Sequence, residues 1–128
     1  ELSKIIKSEK KPNEDYVVVD VRGDDYPGGH IKGSVNSPAE TFLDDVNDLI
    51  AKTKDVKTVI FHCALSQARG PKAARIYAET RDNLEKEGKD KEHEVLVLRG
   101  GFSEFQEKYR DDTELVEEYD KEIWDYRD

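Results

Sequence analysis

Apolar residues along this chain gather into a few short runs separated by long polar stretches, and three of those runs have the length of a strand. They are YVVVDV (16–21), TVIFHC (58–63) and EVLVL (94–98). Each is nearly continuous rather than alternating, and Val recurs in all of them, which is the pattern of parallel strands covered on both faces. A weaker fourth strand is read at SVNS (34–37). Helical spacing fills the intervals: Phe42, Val46, Leu49 and Ile50 recur at i, i+4, i+7 and i+8, and Ala74, Tyr77, Ala78 and Arg81 continue that spacing after Pro71. Pro71 suits a first helical turn, and Gly100-Gly101 suits a tight turn into FSEFQEKY. Alternating strands and helices predict an α/β fold, a central parallel sheet with helices on both faces.

The ends carry weaker patterns. Leu2, Ile5 and Ile6 read as one face of a short opening helix, and Leu115, Val116, Tyr119, Ile123 and Trp124 as the face of a closing one. We therefore expect a single domain over residues 1–128, with 110–128 as an acidic, helical C-terminal extension. Residues 111–128 hold nine acidic and two basic side chains, so the extension carries most of the chain's excess negative charge.

Composition narrows the function classes. A net charge of −9 argues against nucleic acid as a partner, because phosphate backbones are bound by basic faces. No apolar stretch approaches the roughly 20 residues that cross a bilayer, so no membrane association is expected. With one Cys there is no intramolecular disulfide, which fits a reducing compartment, the cytoplasm or the nucleus. The chain does not begin with Met, which leaves room for a preceding targeting segment. The three histidines lack metal-ligand spacing.

That single Cys63 ends a predicted parallel strand and precedes a loop, ALSQA, that leads to Arg69 and a helix. Carboxyl ends of parallel strands are where α/β sheets bind ligands. The small residues Ala64, Ser66, Ala68 and Gly70 let such a loop curl until successive N–H groups point inward, an anion nest continuous with the helix start. The amides of Ala64, Leu65, Ser66, Gln67 and Ala68 would then hold phosphoryl oxygens, and Arg69 would grip two of them at once. Cys63, its thiolate favoured by the same field, would attack phosphorus and form a phosphocysteine that water cleaves. No metal or cofactor is needed. The residues alone leave open that Cys63 is a small buried side chain at a strand end.

HCALSQARGP resembles the signature loop of the rhodanese-fold dual-specificity phosphatases of the M-phase inducer type and of the eukaryotic arsenate reductases that share their fold. The likeness extends to VVVDVRGDDYPGGHIKGSVN (17–36) and VLVLRGGFSEF (95–105), in the family's order, and is greatest to the small stand-alone fungal members. The resemblance implies a rhodanese-like fold and a Cys-x5-Arg phosphatase in which Cys63 and Arg69 are catalytic. Rhodanese sulfurtransferases typically have a loop one residue shorter, so the loop here favours phosphate or arsenate over sulfane sulfur. The implied partners are a phosphorylated protein or small aryl phosphate, and, for arsenate reduction, glutathione or glutaredoxin.

The chain also departs from the family it resembles. The mitotic phosphatases carry glutamates where Ala64 and Ala68 stand, many cysteine phosphatases have a hydroxyl residue where Gly70 stands, and the back-door cysteine is missing. These departures predict slow turnover on poor leaving groups and rescue of an oxidised Cys63 only by an outside thiol, and the two alanines keep open a weakly active rhodanese module that binds phosphorylated proteins. Asp24, Asp25, Asp111 and Asp112 are the acidic residues from which a replacement proton donor would come. His62 and the pair Asp20 and Arg22 are expected to be structural.

Overall fold

The computed structural model describes residues 2–8, 10–23, 26–64, 68–85 and 94–120. Four strands, β1 (Tyr16–Asp20), β3 (Val35–Asn36), β4 (Thr58–His62) and β5 (Glu94–Val97), form one sheet in the order β3-β1-β4-β5, and every pairing in it is parallel. Strands β2 (His30–Ile31) and β6 (Val116–Glu117) make a small antiparallel pair beside it. The helices are α1 (Leu2–Lys7), α2 (Phe42–Thr53), entered through a 3-10 turn at Ala39–Thr41, α3 (Arg69–Glu85) and α4 (Gly101–Tyr109).

Side chains alternate across a strand, so each central strand feeds two cores. Val17, Val19, Val59 and Phe61 pack with Phe42, Val46 and Leu49 of α2 and Ala73, Ala74 and Tyr77 of α3. Tyr16, Val18 and Ile60 face the other way, toward Leu2 of α1 and Phe102 and Phe105 of α4. Helices therefore cover both faces, as the near-continuous apolar runs require. Each fully buried Val, Leu or Phe in these layers contributes roughly 1.5–3 kcal/mol of transfer free energy. Pro71 sits in the first turn of α3, where its missing N–H costs nothing.

Two expectations are corrected. The run at 94–98 is not covered on both faces: β5 is the sheet edge, and Leu96 and Val97 are 42% and 39% exposed. An apolar run reports strand propensity and cannot report how many neighbours the strand will have. The helical extension at 110–128 is also overturned where residues are described. After α4 the chain turns, with Leu115 N–H donating to Asp112 O at 3.0 Å, and then runs as β6 against β2. Leu115 and Val116 are adjacent yet both buried, which a turn opening into a strand achieves. Ile123 and Trp124 lie outside the described residues.

The sheet order puts the candidate site in place. From β1 the chain moves to β3 on one side, and later to β4 and β5 on the other, so the order reverses between β1 and β4. Crevices for ligands open at the carboxyl ends of strands flanking such a reversal. Asp20 ends β1 and Cys63 follows β4 at that reversal. No helix among the described residues is long and apolar enough to cross a membrane.

Candidate active site

Cys63 is the first residue beyond β4 and is buried. Two hydrogen bonds fix the chain on leaving the strand: Phe102 N–H donates to Cys63 O at 2.9 Å, and Ser103 N–H donates to Ala64 O at 2.8 Å. Both donors are first-turn amides of α4, which need partners because no preceding turn supplies carbonyls. In a trans peptide the N–H points opposite to the C=O, so tying Cys63 O to α4 turns the Ala64 amide away from α4. Gly101 makes this approach possible. A Cβ there would overlap the carbonyl oxygens of Cys63 and Ala64, and its φ of +60° is one that glycine adopts readily. The double glycine, read from sequence as a tight turn, is also the contact face between α4 and the Cys63 loop.

Gly70 closes the other side. A Cβ on it would stand 3.3 Å from His62 Cα and 3.4 Å from Cys63 N, tighter than ordinary side-chain contacts. The first turn of α3 thus rests on the end of β4, and a side chain at position 70 would need the end of β4 to give by a few tenths of an ångström. Arg69 opens α3 and is half-buried, and Ala68 before it is exposed. Leu65, Ser66 and Gln67 lie outside the described residues. Of the expected loop amides, Ala64 and Ala68 are therefore the two described.

A charged floor lies at the carboxyl ends of β1 and β4, where Asp20 pairs with His62. Asp20 and Arg22 are fully buried; Arg22 Nε donates to both Asp20 carboxylate oxygens at 3.0 Å, and its Nη2 reaches Oδ2 at 2.7 Å. The same Nη2 donates to Gly29 O at 2.9 Å, and the guanidinium lies 4.3 Å from the centre of the Phe102 ring. Asn36 Nδ2 adds bonds to the carbonyls of Asp20 and Arg22, each at 2.9 Å. The pair thus joins β1, β3, the turn before β2 and the start of α4. The expected structural pair is present, and both of its side chains are fully buried.

His62 sits on this floor, fully buried, with Nδ1 3.1 Å from Cys63 O. A carbonyl only accepts, so Nδ1 carries the proton and His62 helps to orient the Cys63 peptide. Its Nε2 is 3.7 Å from Asp20 Oδ2 and makes no hydrogen bond. Burial pushes the imidazole pKa below its ordinary 6.5, opposed by the Asp20 carboxylate and by the bond to Cys63. A histidine kept neutral in the fold but free to protonate when unfolded stabilises the protein above the unfolded pKa, and this contribution fades as pH falls through it. The sign gives a test. His62→Gln should cost most stability at neutral pH, and its difference from the parent in urea unfolding should shrink between about pH 7.5 and 5.5, by at most about 1.4 kcal/mol per unit. A difference constant over that range would show that His62 does not titrate on unfolding.

Among the sequence's acid candidates, Asp112 is engaged 2.7 Å from Lys7 Nζ, and that bond holds its carboxyl below the usual range, the opposite of what a proton donor needs. Asp111 is exposed, and Asp24 and Asp25 lie outside the described residues. Two nearby basic residues are separated: Lys72 lines a hollow with Arg69, and Arg99 lines a groove by β5 and α1. Among the described residues no cluster of His, Cys, Asp and Glu is arranged to hold a metal.

A parallel sheet with a lone cysteine at its switch point, wedged between two helix starts, defines a known class. The chain belongs to the rhodanese-like domain family, whose pattern matches residues 2–108. Its particular likeness is to small Cdc25-like phosphatases. The dual specificity phosphatase ibp1 of Schizosaccharomyces pombe is 38% identical over 120 residues, 84% of this chain and 86% of that protein. A solved yeast protein tyrosine phosphatase of the rhodanese family has a TM-score of 0.78 at 34% identity, covering 97% of this chain and 92% of that one. Arsenate reductase 2.2 of Oryza sativa subsp. japonica is 34% identical over 87 residues, 67% of this chain and 65% of that protein.

Proposed function

We propose that this chain is a cysteine-dependent phosphatase acting on phosphotyrosine-like or small aryl phosphate monoesters, with Cys63 as nucleophile and Arg69 as transition-state clamp. The observation that carries the reading is the pinned exit from β4: Cys63 and Ala64 carbonyls are held by α4, while Gly70 lets the start of α3 close on His62 and Cys63. A loop of five residues between Cys63 and Arg69 is left to span strand end and helix start.

The substrate phosphoryl group sits in this loop with the amides of residues 64–68 and the Arg69 guanidinium on its non-bridging oxygens. The Cys63 thiolate attacks phosphorus in line, the P–S bond forms as the P–O bond to the leaving group breaks, and the departing oxygen takes up a proton. Water then attacks phosphorus, the P–S bond breaks, and phosphate leaves with the thiolate restored. Alanines at 64 and 68 leave the loop without an acid of its own, so phenols, which leave readily, are favoured over aliphatic alcohols. Phosphorylated proteins in the cytoplasm or nucleus are the substrates this reading implies.

A second reading is supported by the rice relative: arsenate reduction, with Cys63 attacking arsenic and glutathione or glutaredoxin completing the two-electron transfer. A single cysteine in the chain makes that outside thiol obligatory. The deciding assay offers the reduced protein a chromogenic aryl phosphate, and separately arsenate with glutathione. Hydrolysis of the ester is the expected result. A folded, reduced protein that leaves the ester intact but forms arsenite would replace the first reading with the second, and thiocyanate formation from thiosulfate and cyanide would displace both.

A further inference from the structure

Leu43 is the feature the fold does not explain. The packing face of α2 consists of Phe42, Val46, Leu49, Ile50 and Thr53, all buried. Leu43 lies one position, and so about 100° of helix rotation, away from Phe42 and is 71% exposed, the most exposed large apolar side chain among the described residues. In a chain that is 40% charged, an isolated exposed Leu would mean little. This one lines a hollow of about 310 Å³ between the 3-10 turn and start of α2 on one side and the first turns of α3 on the other. Ala39, Phe42, Ala73 and Ile76 supply the rest of its apolar surface. Its remaining wall includes Ala68 and Arg69, the last two residues of the Cys63 loop.

Continuity with Arg69 decides what the hollow would hold. A phosphoryl group gripped by the loop directs its ester oxygen outward, and the carbon attached to it must lie over the surface next to the loop. Resting on that surface removes apolar area on both partners from water, which favours a flat ring over a hydrated alkyl alcohol. Lys72 on the rim adds attraction for the phosphate dianion, and the Glu40 carboxylate disfavours rings that bear an acid. We propose that this hollow is the subsite for the aromatic leaving group of the phosphate ester, with Leu43 as its platform, so that the enzyme selects aryl over alkyl phosphates by contact as well as by leaving-group chemistry. The proposal rests on the phosphatase reading. An arsenate reductase, whose substrate has no organic part, would have no use for it.

The test compares Leu43→Ser and Leu43→Met with the parent on 2-naphthyl phosphate, using inorganic phosphate as a competitive inhibitor that reports the loop alone. Leu43 is exposed, so neither change threatens folding. Leu43→Ser should raise KM for naphthyl phosphate about five-fold with kcat and the phosphate inhibition constant unchanged, and Leu43→Met should restore the parent value. An unchanged KM in an active Leu43→Ser protein would overturn the subsite alone, as would a phosphate inhibition constant that rises in step with KM. A parent that hydrolyses no aryl phosphate would overturn the phosphatase reading, and the subsite with it.

Discussion

Cys63→Ser is expected to abolish hydrolysis of aryl phosphates, with a fall in kcat of about 10⁴-fold or more, and Arg69→Lys is expected to lower it by about 10³-fold. The two losses have different origins. Among the described residues the imidazole next to Cys63, that of His62, cannot ionise a serine hydroxyl there, because its Nδ1 is committed to Cys63 O and its ring is fully buried. Lysine at 69 keeps the charge but offers a point donor in place of a planar fork, so it cannot hold two equatorial oxygens as charge spreads over them. Single-turnover hydrolysis of a chromogenic aryl phosphate, with unfolding midpoints measured alongside, separates lost chemistry from lost fold. Turnover retained in Cys63→Ser would remove the cysteine from the mechanism.

The largest effect on stability is expected at Asp20. Its carboxylate accepts from Arg22 Nε and Nη2 and from the Arg22 amide at 3.0 Å, all where neither side chain meets solvent. Asp20→Ala takes that carboxylate away from a guanidinium held between Phe102 and Tyr26, and breaking a buried pair on one side costs about 3–5 kcal/mol. Changing both, Asp20→Ala with Arg22→Met, should recover part of the loss, because no buried charge is then left without its counter-ion. Urea unfolding of the parent and the three variants gives the cycle. A loss below about 1 kcal/mol in Asp20→Ala would mean that the pair does not brace the sheet, and that the floor of the site is held by packing alone. The same change should also lower activity, since the Phe102 ring against Arg22 belongs to the residue whose amide holds Cys63 O.

Strand type, helix phase and the placement of Cys63 after a strand and Arg69 at a helix start were legible in the amino-acid sequence, because each depends on residues near one another along the chain. Val-rich runs reported parallel strands, i+4 spacing found the buried faces of α2 and α3, and the interval from Cys63 to Arg69 marked the loop. Other features were not legible. The role of His30 depends on Glu117, 87 positions away, with His30 Nε2 and Glu117 Oε1 3.2 Å apart. Leu115, Val116 and Tyr119 suited a helix until β2 offered β6 an edge, which local spacing cannot reveal. The same limit made β5 look like an interior strand.

By itself, then, the sequence determined an α/β chain with a thiol at the carboxyl end of a parallel strand and an arginine at the start of the following helix, since periodicity and propensity act over one or two turns. Tertiary structure decided what surrounds that thiol. Gly101 against the Cys63 and Ala64 carbonyls, Gly70 against the end of β4, Asp20 near His62, and Leu43 and Arg69 on the walls of one hollow are meetings between elements distant in sequence. Only after the sheet orders its strands and both faces are packed do those distances become short enough for hydrogen bonds, steric exclusion and apolar contact to act.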